Sequence, residues 1–577
     1  MSPIAIRSRR ATPRARVAPL AALVLAALVL ACGAPAPEFD LVLRGGTLVD
    51  GSGEPATVGD LAIDGDRIVA LGDLGGARGR LELDVTGLAV APGFVNMMSW
   101  ANESLIEDGR SQSDIRQGVT LEVMGEGTSM GPLDGTMRAR MLERQSDIRY
   151  PIEWTKLDGY LRFLEERGVS TNVASFVGAG TVRELVVGAE DRTATPEELE
   201  RMRGLVRQAM EEGALGVASS LIYPPGSFAD TAELIALAEV AAEHDGLYAS
   251  HLRNEGGQLL AAIDELIAIA RATGIRAEIY HLKAAGVSHW HLLDEAIAKI
   301  EAARAEGLAI TADVYTYPAS STGLNTIMPP WVQEGGFDAS LERLRDPATR
   351  QRIAAEMLVD STEWENMWLG AGTPENILLV GFRNPELRHL TGKTLAAVAV
   401  ERGGDPRFVA MDLIVEDGSR IQVVFFSMSP DNLAKKVALP WVSFCSDAAS
   451  LAPEGVFLES STHPRAYGSF ARVLGKFVRD DGVLTLEEAV RKLAALPAET
   501  LGVEGRGRLA ASYYADVAVF DLATIQDHAT FEQPHQYATG MVHVFVNGVH
   551  VLRDGAHTGA KPGRVVRGSG WKGGDDP

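Results

Sequence analysis

The chain has 577 residues, 46% of them hydrophobic and 23% charged, with 60 glycines and a formal net charge of −23. That length suits several domains, and the balance excludes both a disordered chain and a multi-span membrane protein. Lys and Arg form no run beyond the first sixteen residues, which excludes a nucleic-acid partner, and two cysteines exclude a disulfide scaffold.

Five arginines (Arg7, Arg9, Arg10, Arg14, Arg16) and no acid precede the apolar run from Val17 to Leu30, which ends at Ala31-Cys32-Gly33. A cationic start, an apolar stretch and a small-residue cleavage point make residues 1–31 an expected export signal. The run is shorter than the roughly 20 residues that span a bilayer. Val-Leu-Ala-Cys resembles a bacterial lipobox, which implies a lipid on Cys32 and a periplasmic protein that meets the membrane only through that anchor. Arg9-Arg10 leaves twin-arginine export open beside the general route. Loss of five cations and no acid takes the charge from −23 to −28 and leaves Cys445 without a disulfide partner.

Residues 38–90 and 500–570 share a texture of short alternating strands with Asp-Gly and Gly-Gly turns, so both chain ends are expected to form one small β-sandwich. Between them, β-rich segments alternate with amphipathic stretches such as Thr231 to His244, Gly257 to Thr273 and His291 to Ala305. The predicted strands are Val90 to Met98, Val119 to Gly125, Thr171 to Val177, Leu215 to Ile222, Leu247 to His251, Arg276 to Leu282, Ala309 to Tyr315 and Trp441 to Ser446. Eight parallel strands with crossover helices predict an α/β fold, a (β/α)8 TIM barrel of residues 91–325 and 430–499. The gap of about 125 residues before the eighth strand is too long for one crossover. It holds its own segments (Ala339 to Met357, Ile377 to Gly381, Leu395 to Arg402, Arg420 to Phe426), so residues 326–429 are read as an insertion.

Chemistry in such barrels sits at the carboxyl ends of the strands. His251 in YASHLRNEG and His281 in EIYHLKAAG end successive strands, and Asp447 in FCSDAAS closes the eighth. Two imidazoles and a carboxylate at one barrel mouth suit a Zn²⁺ hydrolase, in which Asp447 moves a proton from the attacking water to the leaving nitrogen.

The motifs APGFVN, QGVTLEVMGEG, SSLIYPPG, YASHLRNEG, HLKAAG, DVYTYPASST, FFSMSPDN, SFCSD and HPRAYGSFARVLG occur in an order that resembles the amidohydrolase superfamily, and within it the N-acyl-D-amino-acid deacylases, the D-aminoacylase family. The resemblance implies a barrel with a sandwich of both termini and hydrolysis of an N-acyl-D-amino acid to a carboxylate and a free D-amino acid. Two departures stand out. Where the family writes Asp-x-His-x-His, this chain has Asn96, Met98 and Trp100, and where a bridging thiolate is usual it has Glu126-Gly127. The implied metal set is therefore Glu126, His251 and His281 around one Zn²⁺, since a carboxylate can replace a thiolate. By the same resemblance Lys283, Tyr315 and Arg465 clasp the substrate α-carboxylate, and Tyr223 donates to the acyl carbonyl oxygen. Family members acting on acidic D-residues carry a second cation after strand seven. No Arg or Lys lies between Tyr315 and Trp331, and Ser320 and Ser321 suit a neutral side chain. A cyclic amidase or dipeptidase on the same barrel remains an alternative, as does an exported binding protein that lost catalysis with the missing His pair. Cys445 is read as a packing residue.

Overall fold

The structure is a computed structural model that describes residues 38–573. The expected export signal and Cys32 lie outside them, and no helix of the described residues is long and apolar enough to cross a membrane.

Eight parallel strands form the barrel: β1 (Phe94–Asn96), β2 (Val119–Met124), β3 (Asn172–Ser175), β4 (Gly216–Ser220), β5 (Leu247–His251), β6 (Arg276–Ile279), β7 (Ile310–Val314) and β8 (Val442–Phe444). β3 pairs with β2, and its continuation Val177–Gly178 pairs with β4. Beyond β8 the ring closes on the segment after β1, where the Asp447 amide donates to the Met98 carbonyl at 3.0 Å. Val95, Leu121, Val123, Phe176, Ala218 and Ala249 fill the interior, and a second apolar layer lies between the strands and the helices outside them. Each predicted barrel strand is present, with one correction. The stretch Val90 to Met98 is two strands, because Ala89–Pro92 joins the terminal sheet and β1 starts only after Gly93. A Cβ on Gly93 would lie 2.2 Å from the Thr120 hydroxyl, so glycine permits this close passage.

The chain ends fold together into one β domain, as expected, and its hydrogen bonds run continuously through nine strands. The strand Glu38–Leu48 bends the sheet. Its first half pairs with Arg78–Asp84 and its second with Ala89–Pro92, with a register shift between Leu43 and Gly46 against Thr57–Asp64. Gly45, at φ 69°, takes a left-handed conformation at that bulge, and the sheet turns there around a core shared by Leu43, Ile63, Val517 and Phe545. Val517–Phe520 then pairs with Ala89–Pro92 and ties the C-terminal half to the N-terminal half. The last described residues cross the amino ends of the barrel strands, where the Gly563, Val566 and Gly568 amides donate to Val169, Val173 and Gly213.

The insertion has its own core, including Leu324, Ile353, Leu379, Leu395, Ile414 and Phe425. Its sheet starts before residue 326: Ser320–Gly323, Gln422–Phe425 and Ile377–Gly381 pair antiparallel in that order. Ala339 to Met357 is two helices, Phe337–Arg345 and Pro347–Glu356, because Pro347 starts the second and Asp346 caps it through the Thr349 amide.

Candidate active site

The carboxyl ends of the strands open into a cavity of about 520 Å³ lined by Glu126, Tyr223, His251, His281, Tyr315, Ser320, Asp447 and Arg465 among others. Glu126, Tyr223, His251, His281, Tyr315 and Asp447 follow or end barrel strands, where the backbone leaves the sheet and the next residue can turn inward, whereas Ser320 begins a strand of the insertion sheet and Arg465 a helix. At β2 the turn is Gly125-Glu126-Gly127, with φ 105° and 63° at the glycines. A Cβ would lie 2.4 Å from the Phe176 carbonyl at Gly125 and 2.5 Å from Ser220 at Gly127. The two glycines permit the close turn that carries Glu126 into the mouth. His281 and Asp447 are themselves held at φ 35° and 48°. Left-handed backbone at a non-glycine residue costs energy that the surrounding structure must supply, and two of the eight such residues among those described lie at the site.

Glu126, His251 and His281 are buried, and one ligating atom from each lies within 4.8 Å of the others. Glu126 Oε1 stands 2.9 Å from His251 Nδ1 and 3.5 Å from His281 Nε2. The rings meet edge to face with centroids 4.4 Å apart. Burial pushes the Glu126 carboxyl up, but hydrogen bonds and charge from both imidazoles outweigh it and hold the group ionised, well below the usual carboxylate range. Two nitrogens and an anionic oxygen, converging and shielded from water, form a donor set suited to zinc.

Behind the rings stands Glu255, which sequence reasoning missed. Its carboxylate lies 3.0 Å from His281 Nδ1 and 3.5 Å from His251 Nε2, a position that orients both rings toward Glu126. Burial and the Lys283 ammonium push the His281 imidazole down, while Glu255 and hydrogen bonds to Glu126 and Glu255 raise it further, to about 10. The signal was in the sequence: Glu255 lies four residues after His251 in HLRNEG.

The expected carboxylate clasp differs from the arrangement found. Lys283 is buried and donates to both Glu255 oxygens at 2.6 and 2.7 Å, so its charge neutralises the carboxylate behind the histidines. Arg465 pairs with Asp447 at 2.6 Å and lies over the Tyr315 ring, 4.6 Å from its centroid. His463 positions that arginine by accepting its backbone N–H at 3.0 Å. The Tyr315 hydroxyl reaches Met428 Sδ, and Ser320 Oγ is buried with no partner among the described residues. Tyr223 sits against His251 and shares a hydrogen bond of 2.9 Å with Thr322; burial and the Glu126 charge push its phenol up, so it remains a donor.

Asp447 is held on both oxygens. Arg465 takes Oδ2, and the Trp100 indole N–H donates to Oδ1 at 3.2 Å. Burial pushes the Asp447 carboxyl up, against the lowering pull of Arg465 and His281. Met98 is buried in the barrel interior, and Asn96 donates to Asp114 and Ser446. The stretch after β1 therefore supplies packing and a hydrogen-bond donor. Cys445 is fully buried, and burial with the nearby Asp313 charge pushes its thiol up, which suits packing and not nucleophilic attack.

The insertion contributes two residues that no reading of single segments found. Arg420 lines the cavity with its guanidinium 5.9 Å from the Tyr223 ring centroid, so a second cation is present although the stretch after β7 lacks one. Glu365 also lines the cavity and accepts the Glu255 backbone N–H at 2.6 Å.

A catalytic-type strand-end constellation on this barrel defines an amidohydrolase class of protein, and residues 82–552 match the Amidohydrolase family. The chain belongs to that family. It is 34% identical to a D-aminoacylase of Alcaligenes xylosoxydans xylosoxydans over 92% of this chain and 97% of the relative. Among solved structures, a D-aminoacylase described by one-metal activation and second-metal attenuation of a binuclear centre shares 31% identity at a TM-score of 0.76, covering 92% of this chain and all of that one. The N-acyl-D-glutamate deacylase of Bordetella bronchiseptica, complexed with zinc and a phosphonate mimic of the tetrahedral intermediate, shares 30% identity at a TM-score of 0.75 with the same coverage.

Proposed function

We infer that this protein is a zinc-dependent hydrolase that cleaves N-acyl-D-amino acids to a carboxylate and a free D-amino acid. The observation that carries the reading is the convergence of Glu126, His251 and His281 at one cavity with Asp447 beside them. Zinc held there would polarise the scissile carbonyl and make water a competent nucleophile near neutral pH. Asp447 accepts the proton of the attacking water and returns it to the leaving nitrogen. The protonated Tyr223 phenol donates to the carbonyl oxygen as negative charge develops on it. Arg465, bedded on Tyr315, binds the α-carboxylate; its arrival exchanges one carboxylate for another and releases Asp447 Oδ2 for proton transfer. The full-length similarity to deacylases does not favour the cyclic amidase, dipeptidase or inactive binding protein.

Zinc analysis of purified protein checks the ligand set: Glu126→Ala and His251→Ala should lose bound metal. Asp447→Asn should keep it while kcat falls by about 10²–10⁴-fold. Retained turnover in Asp447→Asn would remove this residue as the proton carrier.

Arg420 supports an anionic substrate side chain over the neutral one expected from the stretch after β7. On that reading Arg420→Ala lowers kcat/KM for N-acetyl-D-glutamate by about tenfold or more and changes N-acetyl-D-methionine far less. Equal losses would restore the neutral reading. The chain is also proposed to be exported to the periplasm and anchored by lipid on Cys32, a reading supported by the run of residues 1–33. Membrane fractionation of Cys32→Ser, expected to be soluble, checks it.

A further inference from the structure

Trp100 is a wall between two cavities. On one side is the cavity of the candidate active site; on the other is a cavity of about 410 Å³ between the loop after β1 and the helix Gly135–Arg144, and Thr128 also lines both. The second cavity is lined by Met130, Leu133, Met137 and Met141, and the first three of these are 6% exposed. Met137 and Met141 lie one helical turn apart, on one face of the helix. The walls are pinned: the Asp134 cap accepts the Met137 amide at 2.7 Å, and the Trp154 indole donates to the Met130 carbonyl at 2.7 Å. Arg140 and Glu184, paired at 3.0 Å, also line this second cavity, as do Glu103, Arg144 and Gln145, so the apolar lining is the methionine side of a cavity with a charged side. Unbranched thioether side chains adapt to a flexible apolar guest without a fixed shape of their own. A patch of this kind, adjoining across Trp100 and Thr128 a site that cleaves an acyl group, matches the aliphatic part of a substrate.

We propose that this methionine-lined cavity is an acyl-chain subsite, and that the protein acts on N-acyl-D-amino acids with linear acyl chains well beyond acetyl. The inference rests on the deacylase reading and deepens it. Glu126 and Thr128 belong to one turn, where the Thr128 amide donates to the Glu126 carbonyl at 2.6 Å. An acyl group whose carbonyl lies at Glu126 therefore has its next carbons beside Thr128 and Trp100, the two residues common to both cavities. The cleaved product would be a fatty acid, held by the same apolar wall.

The test is a series of N-acyl derivatives of one D-amino acid, from acetyl through butanoyl, hexanoyl and octanoyl to decanoyl. With the zinc-loaded protein, kcat/KM is expected to rise roughly two- to fourfold per methylene until the cavity is filled. In Met137→Trp, which fills the cavity, the ratio of decanoyl to acetyl kcat/KM should fall at least about tenfold. Met141→Glu places a charge in the same space at a partly exposed position and should do likewise if Met137→Trp fails to fold. A flat or falling series with acetyl substrate turned over overturns the subsite and leaves the deacylase reading standing. If no chain length is turned over, the deacylase reading fails, and calorimetry of butanoate, octanoate and decanoate still reads the cavity. Affinity that climbs with chain length and is lost in Met137→Trp supports the subsite, and length-independent binding overturns it.

Discussion

Trp100 shows how a single substitution against the family pattern is absorbed. The indole occupies a position where the family's imidazole would serve a metal, and its N–H is directed at Asp447 Oδ1. A neutral donor fixes the carboxylate in place without adding charge, so on the proposed mechanism Asp447 stays oriented when Arg465 turns to substrate. Loss of a hydrogen bond to an ionised group costs about 1.5–3 kcal/mol. Trp100→Phe, which keeps the ring and removes the donor, should therefore lower kcat by roughly tenfold or more, with KM and zinc content little changed. An unaltered kcat would show that Asp447 needs no such support. The two strand-end histidines were legible because position along a strand is a local pattern, and so was Asp447. Glu255 was equally close in sequence, but its role depends on the loop after β5 folding back behind both rings. That geometry has no periodic signature.

The insertion supplies part of the cavity wall. Arg420 reaches the cavity because Gln422–Phe425 pairs with Ser320–Gly323, soon after β7, and Glu365 reaches it at the loop after β5, where it accepts the Glu255 amide. Burial and the Glu255 charge push the Glu365 carboxyl up to about 7. A carboxyl raised in the folded protein ionises first in the open state, so its contribution to docking is full below the ordinary value of 4.5 and is lost as pH rises toward about 7. Hydrogen exchange around Glu365, corrected for intrinsic rates, should then show weaker protection at pH 7 than at pH 5. Glu365→Gln, always neutral, should abolish that dependence; the same slope in the variant would exclude Glu365 as its source. The existence of helix Leu395–Arg402 and strand Ile377–Gly381 was readable from periodicity. Which face of the insertion met the barrel was not, because both have complete apolar cores of their own.

For the whole molecule, charge is the opposing influence. The chain carries −23 overall, and its proposed substrate is an anion. Long-range repulsion slows encounter at low salt and is screened once the Debye length shrinks to about 8 Å at physiological ionic strength. Raising salt from about 10 to 150 mM is therefore expected to increase kcat/KM for an N-acyl-D-amino acid roughly two- to threefold. A decrease would mean that Arg420 and Arg465 dominate the approach. The barrel, its insertion and the union of both chain ends were determined by the sequence itself, because hydrophobic periodicity and turn residues act over a few neighbours. Tertiary structure alone decided the partners: Lys283 on Glu255, Arg465 and Trp100 on Asp447, Arg420 at the cavity, and the single bent sheet at the chain ends. Buried charges take whichever opposite group the fold brings within reach, and that choice depends on distances in space that spacing along the chain does not encode.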